Sequence, residues 1–423
     1  MQVKLEYGRD GLLVDLPDEN VVVLNLKTSP PLDEVETAVR SSLRSPIGSE
    51  SLVELARSKH NVVITICDKT RPVPNKTLLP PILECLNSAD VADDQITILI
   101  ATGTHRPNDE AELLEMLGEE ITSRIRIVNH ICTDTAGQIG LGVSPNGVPI
   151  ALDKIWVDAD LRISVGLIEP HFMAGFSGGR KLVMPGLAAL ETVQAWHSPR
   201  FLEHPNATNG ITDGNPVHEE AMAIAKMART DFIVDVTLDE ANQITGIFAG
   251  DMEAAWNAGV EFARTQVKVS ISEQVDIAIT TCAGLPLDAT FYQTVKGMVG
   301  ALPLVKLGGE IIIASECSEG IGSSHFKSML FDYSDLNTFI SDIQSPDWTY
   351  IPDQWEVEVL ARAANHATIT CVSSGISDAD LSQCFVTPAA TVEQAVQIAQ
   401  TRLGRSVTIG VIPKGPYVIP VVL

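Results

Sequence analysis

Six apolar, β-branched runs restrict this 423-residue chain to few folds. They are NVVITIC (61–67), ITILIAT (96–102), LRISVGL (161–167), VDIAITTC (275–282), EIIIASEC (310–317) and ATITCVSS (367–374). A run without polar alternation is buried on both faces, which points to the interior of a parallel sheet. Short polar turns and helical spacings follow these runs. Strand, turn and helix in repetition describe an α/β fold with helices on both faces of mostly parallel sheets. Such sheets hold ligands outside the C-terminal ends of their strands. Asp68, Arg71, His105 and His171 all lie just past a run, so they are expected on one side of a sheet. The expected architecture is two α/β domains with an active-site cleft between them. The first spans 1–268 and the second 269–404, with the strand-like segment 405–423 rejoining the first.

The chain carries 29 Lys and Arg against 54 Asp and Glu, a formal net charge of −25. That excludes a nucleic-acid partner, because no basic stripe offsets phosphate repulsion. An anionic ligand must then be met by local cations, which singles out Arg71, Arg106, Arg180, Lys181 and Lys296. No apolar run approaches the ~18 residues of a membrane span, so no membrane partner is expected. The opening MQVKLEYGRDG lacks the apolar core of a signal peptide, and a cytoplasmic protein is expected. The seven cysteines include no CxxC pair. They read as free thiols in a reducing compartment rather than as a zinc or iron–sulfur site.

The densest motif is Glu169-Pro-His171 followed by Gly175, Gly178, Gly179, Arg180 and Lys181, with His197 sixteen residues beyond. Glycines near a strand end free backbone N–H groups to face an anion. The order GGRKL is neither a GxxxxGK[ST] phosphate loop nor a GxGxxG dinucleotide turn. A tight turn with a solvated Arg-Lys pair remains the plainer alternative. Asp68-Lys-Thr-Arg71-Pro72 offers an arginine fork for a carboxylate, with Asp68 orienting either that arginine or a base. A surface ion pair would look the same. Gly103-Thr-His105 presents a histidine to the crevice, although such a residue can simply bond backbone. His204 and His218 flank a polar loop and read as structural. No histidine spacing matches a zinc site. Gln293 and Lys296 share a face of the next helix, with Tyr292 beside them. Trp355 suits either a lid over a flat cofactor or a core.

Taken in order, Asp68-Lys-Thr-Arg71-Pro72, Gly103-Thr-His105, Glu169-Pro-His171, Gly178-Gly-Arg-Lys181, His197, Tyr292-Gln293-Thr-Val-Lys296 and Trp355 resemble the nickel-dependent lactate racemase family over essentially the whole chain. The resemblance implies a nickel-pincer nucleotide, a pyridinium mononucleotide carrying thioamide and thiocarboxylate groups, tethered to Lys181. It implies His197 as the one protein ligand to nickel, since the cofactor brings the others. Gly178, Gly179, Arg71, Tyr292 and Trp355 would help seat the cofactor. Enzymes that synthesise the cofactor become necessary partners.

The family's chemistry implies hydride loss from a 2-hydroxy acid to give a planar 2-keto acid, which hydride can re-enter on either face. Each enantiomer presents its hydroxyl differently, so two bases are needed, and His105 and His171 are the pair. Arg71 and Lys296 would grip the carboxylate, oriented by Asp68 and Gln293. Arg180, an extra cation beside Lys181, suggests malate ahead of lactate. A lactate racemase proper, or an epimerase of a longer or sugar-derived 2-hydroxy acid, is the alternative. A nicotinamide-dependent oxidoreductase lacks its dinucleotide turn here. A non-enzymatic sensor would not need the histidine pair.

Overall fold

The computed structural model describes residues 1–27, 29–345, 347–404 and 407–423. Two six-stranded sheets organise the chain. Across the first, the strands run Ile244–Gly250, Phe232–Leu238, Leu161–Leu167, Val62–Cys67, Ile96–Ala101 and Arg126–Asn129. All neighbours are parallel except the antiparallel pair formed by the first two. Leu161–Leu167 is buried along its whole length, as an unalternating run requires. Helices such as Asn75–Asn87 and Met252–Val267 cover the sheet.

The second sheet is all parallel, in the order Thr387–Pro388, Thr368–Val372, Val305–Ala314, Val275–Thr281, Ile409–Ile412 and Val21–Val23. This corrects the expected route of the chain end. Ile409–Ile412, buried throughout, inserts beside Val275–Thr281 instead of rejoining the first sheet. Val21–Val23 then joins its outer edge, so both chain termini extend the second sheet. Of the expected segment 405–423, residues 405 and 406 lie outside the described residues. Ile419–Val422 pairs in parallel with Lys268–Ile271, tying the chain end to the crossover between the sheets.

Local chemistry sets the element ends. Helix Glu110–Arg124 starts from Asp109, whose carboxylate accepts from the Glu112 N–H while the Glu112 side chain accepts from the Asp109 N–H. The preceding Asn108 exchanges hydrogen bonds with Asn129 at 2.9 and 3.1 Å. Helix Phe291–Gly300 is capped by the Thr290 hydroxyl, which accepts from the Gln293 N–H. All seven cysteines are free. Among the described residues no helix is long and apolar enough to cross a membrane.

Candidate active site

Strands Leu161–Leu167 and Ile96–Ala101 flank Val62–Cys67 on either side. Their C-terminal turns therefore open onto one cavity. Cys67, Asp68, Arg71, His105, His171, Gly178, Lys181, His197, Tyr292, Lys296, Trp355 and Glu356 all line it. The two histidines approach from opposite sides of the central strand. A larger cleft of about 430 Å³ adjoins at Thr70 and Leu167, but no histidine lines it.

Asp68 is buried and orients His105: its Oδ2 lies 2.6 Å from His105 Nδ1. A carboxylate only accepts, so Nδ1 carries the proton and the Nε2 lone pair is left free. Asp68 Oδ1 accepts from the Thr70 N–H at 3.1 Å and from its hydroxyl. Burial pushes the Asp68 carboxyl up, but attraction to the His105 ring, the hydrogen bonds from His105 and Thr70, and Arg71 outweigh it and bring it down to about 2. Arg71 is held separately. Its Nε sits 2.8 Å from Glu169 Oε1, and Nη1 donates to the Thr70 carbonyl and hydroxyl. Two Nη donor directions of the fork therefore remain for a ligand.

His171 is fixed differently. Its Nδ1 accepts from the backbone N–H groups of Met173 at 3.3 Å and Ala174 at 3.2 Å. A neutral ring in that setting carries its proton on Nε2. Burial, then Lys181, Lys296 and Arg71, hold His171 well below the usual imidazole range.

The glycine-rich turn is shaped by positive φ values of 75° at Gly178 and 47° at Gly179. A Cβ on Gly178 would lie 2.8 Å from Asp235 Oδ2, and one on Gly179 2.9 Å from the Trp256 ring. The Gly179 N–H donates to Asp235 Oδ2 at 2.7 Å. Arg180 corrects the expectation of an extra substrate cation. It is fully buried, and its guanidinium donates to the carbonyls of Ala174, Phe176, Ser177 and Gly178. It also stacks over Trp256, 4.1 Å from the ring centroid. Arg180 clamps the turn and does not line the cavity, so the reason for preferring malate disappears. Arg106 is likewise engaged with Glu112, on the surface.

That clamp leaves Lys181 facing the cavity beside Trp196. Burial first, then Arg180, Arg71 and Lys296, keeps its amine far below the usual lysine range. His197 ends helix Leu190–Trp196 and stacks on Trp355 with centroids 4.4 Å apart. Its Nδ1 is buried without a hydrogen-bond partner, and burial with the Lys181 charge brings the ring to about 3. Trp355 Nε1 donates to Tyr292 Oη at 2.8 Å, which joins the two helices of the opposite wall. Gln293 does not line the cavity; its Oε1 accepts from Lys296 Nζ. Gly179 also lies behind the lining. His218 stacks on Trp256 and stays outside the cavity.

Sequence reasoning missed Glu356 in the cavity wall and the roles of Glu169 and Asp235 behind it. Glu356 sits next to Trp355 in a run where Gln354 to Ala361 are all buried, a burial that the sequence did not signal.

Among the described residues no group of three His, Cys, Asp or Glu is placed to hold a metal alone. A lone imidazole whose proton affinity burial lowers, beside a lysine amine shifted in the same direction, suits a metal whose other ligands come with a tethered organic group. Tyr292 and Trp355 supply flat walls, and Arg71 and Lys296 supply positive charge for anionic groups.

Comparison with known proteins agrees along the chain. Residues 7–210 match the lactate racemase N-terminal domain model and 270–420 the lactate racemase C-terminal domain model. Lactate racemase from Lactiplantibacillus plantarum is 39% identical, covering 99% of both chains. That from Thermoanaerobacterium thermosaccharolyticum is 35% identical over 99% of this chain and 98% of the relative. The lactate racemase apoprotein structure from the latter organism superposes with a TM-score of 0.93, covering 100% of both chains. A Thermotoga maritima protein, 17% identical over 94% of this chain and 100% of its own, shares the fold with a TM-score of 0.73.

Proposed function

The chain belongs to the lactate racemase family, and from that premise we propose that it interconverts the two enantiomers of lactate with a nickel-pincer nucleotide. The observation that carries this reading is one cavity shared by two oppositely placed histidines, Lys181, His197, Arg71 and Lys296. Lactate takes precedence over malate because both relatives named above are lactate racemases and Arg180 is fully buried behind the cavity, where no second carboxylate can reach it.

Lys181 is assigned as the tether, since an amine must be uncharged to form an amide-type bond, and His197 as the nickel ligand. Gly178 borders the group, Gly179 lets the turn pack on Trp256 behind it, and Tyr292 and Trp355 wall it. When bound, the cofactor supplies the acceptor for hydride from the substrate Cα. Arg71 and Lys296 bind the substrate carboxylate, with Gln293 holding the lysine. His105, aligned by Asp68, takes the hydroxyl proton of one enantiomer through its free Nε2. His171 serves the hydroxyl of the other from the opposite side. The planar keto acid between them is enclosed by Phe172, Met173 and Trp355, which limits its escape to water. Synthesis enzymes for the cofactor are the implied protein partners.

A chiral assay of cofactor-loaded protein with lactate, malate, 2-hydroxybutyrate, 2-hydroxyglutarate and gluconate tests the reading. Lactate is expected to equilibrate fastest, without net keto acid, and Lys181 to carry added mass. Net keto acid formation requiring added nicotinamide would instead mark an oxidoreductase. Active protein with unmodified Lys181 would remove the tether.

A further inference from the structure

Two cations, Arg71 and Lys296, line the cavity, but the carboxylates near them are not equally engaged. Glu169 is bonded to Arg71, and Asp68 to His105 and Thr70. Glu356 is different. It is fully buried, it lines the cavity, and neither of its oxygens has a hydrogen-bond partner. A buried carboxylate in that condition is unfavourable unless a charge compensates it.

The compensating charge stands across the helix pair. Glu356 lies in the first turn of helix Gln354–His366, which packs on helix Phe291–Gly300 carrying Lys296. Next to each of them, Trp355 and Tyr292 are joined by a hydrogen bond that fixes the register of the two helices at the cavity. The Lys296 ammonium has three donors. Gln293 Oε1 accepts one, and Phe172 presents its ring 5.6 Å away, which leaves two donors.

We propose that Glu356 is the counter-charge of Lys296, a positioning residue that keeps this ammonium charged and directed at the carboxylate of the 2-hydroxy acid. Glu356 acts through its charge rather than a hydrogen bond, so both free donors of Lys296 remain for the substrate. The substrate half of this inference rests on the function proposed above; the pairing does not. Charge effects run in the same direction. Burial raises Glu356 and the Lys296 charge opposes that rise, with Asp353 adding to it. Burial and Arg71 lower Lys296, while Glu356, Cys282 and Glu169 oppose the fall.

The test compares cofactor-loaded wild type, Glu356→Gln and Glu356→Asp. The titration midpoint of Lys296 is read from the pH dependence of its acylation by acetic anhydride, followed by peptide mass spectrometry. Glu356→Gln should lower the proton affinity of Lys296 at least tenfold and raise KM for lactate at least tenfold, with kcat within threefold of wild type. Glu356→Asp should restore both values to within threefold. An unmoved Lys296 midpoint in Glu356→Gln overturns the pairing. A fall in kcat at unchanged KM overturns the positioning role. If wild type fails to interconvert lactate, the proposed function fails while the Lys296 midpoint still decides the pairing. Should Glu356→Gln not fold, the double variant Lys296→Met, Glu356→Gln decides. A paired charge requires that removing both partners restores folding, and an unfolded double variant overturns the inference.

Discussion

His105 and His171 occupy matching places, each past the end of a strand flanking Val62–Cys67, yet they are held by opposite means. A buried carboxylate accepts from His105, and two backbone N–H groups donate to His171. The His105 side chain is 41% exposed, whereas His171 sits among Lys181, Lys296 and Arg71. His105 thus presents a free lone pair, and His171 presents a proton. For His171 Nε2 to accept one, the ring must give up its backbone contacts, because a proton on Nδ1 would face two N–H groups. The difference teaches that a two-sided proton relay does not require two equivalent sides. On the proposed reading, His105 is the base ready at rest and His171 the one released by the substrate.

The largest effect should come from deleting either ring. His105→Ala and His171→Ala are each expected to lower kcat by about 10²–10⁴-fold while nickel stays bound. Steady-state kinetics with metal analysis reads both. Near-wild-type turnover in either variant would end the two-sided account.

Asp68→Asn should act on one side only. It removes the acceptor that fixes the His105 tautomer, so kcat should fall roughly 10²-fold. On a His105→Ala background the same change should add little, because its target is gone. A full additional loss in the double variant would show that Asp68 works through something other than His105.

The smallest effects are in stability, and they separate the two sides by pH. Asp68 is depressed to about 2 in the fold, below its unfolded value near 3.9. Its contribution is present above about pH 4 and lost as pH falls toward 2. Wild type should therefore lose roughly 2 kcal/mol relative to Asp68→Asn across that window. His171 is also depressed, from the usual value near 6.5. Its contribution is present above about pH 6.5 and declines below it, so wild type should lose ground to His171→Gln at a higher pH than to Asp68→Asn. Denaturant melts from pH 7 to about 2 would show two separate onsets. A shared onset would mean that the two sites are not held as described.

Much of this was legible before the fold. Unalternating β-branched runs mark buried parallel strands, so Asp68, Arg71, His105 and His171 could be assigned to strand ends. What stayed hidden depends on contacts between distant segments. Sheet order is one case: the run around Ile409 says that it is buried, but not beside which strand. Arg180 is another. Its sequence neighbours suggest a ligand cation, and only the folded turn brings four carbonyls around its guanidinium. Asp68 was left between two possible partners, and the distance to His105 resolves the choice. Glu356 was invisible because a glutamate in a helix normally faces water, and its burial follows from helix packing.

Hydride removal and return at one carbon is tested by incubating cofactor-loaded protein with L-lactate in D2O. The account predicts that D-lactate accumulates to equal amounts with its original Cα hydrogen retained. Deuterium at Cα in the product, or no D-lactate from fully loaded protein, would contradict it.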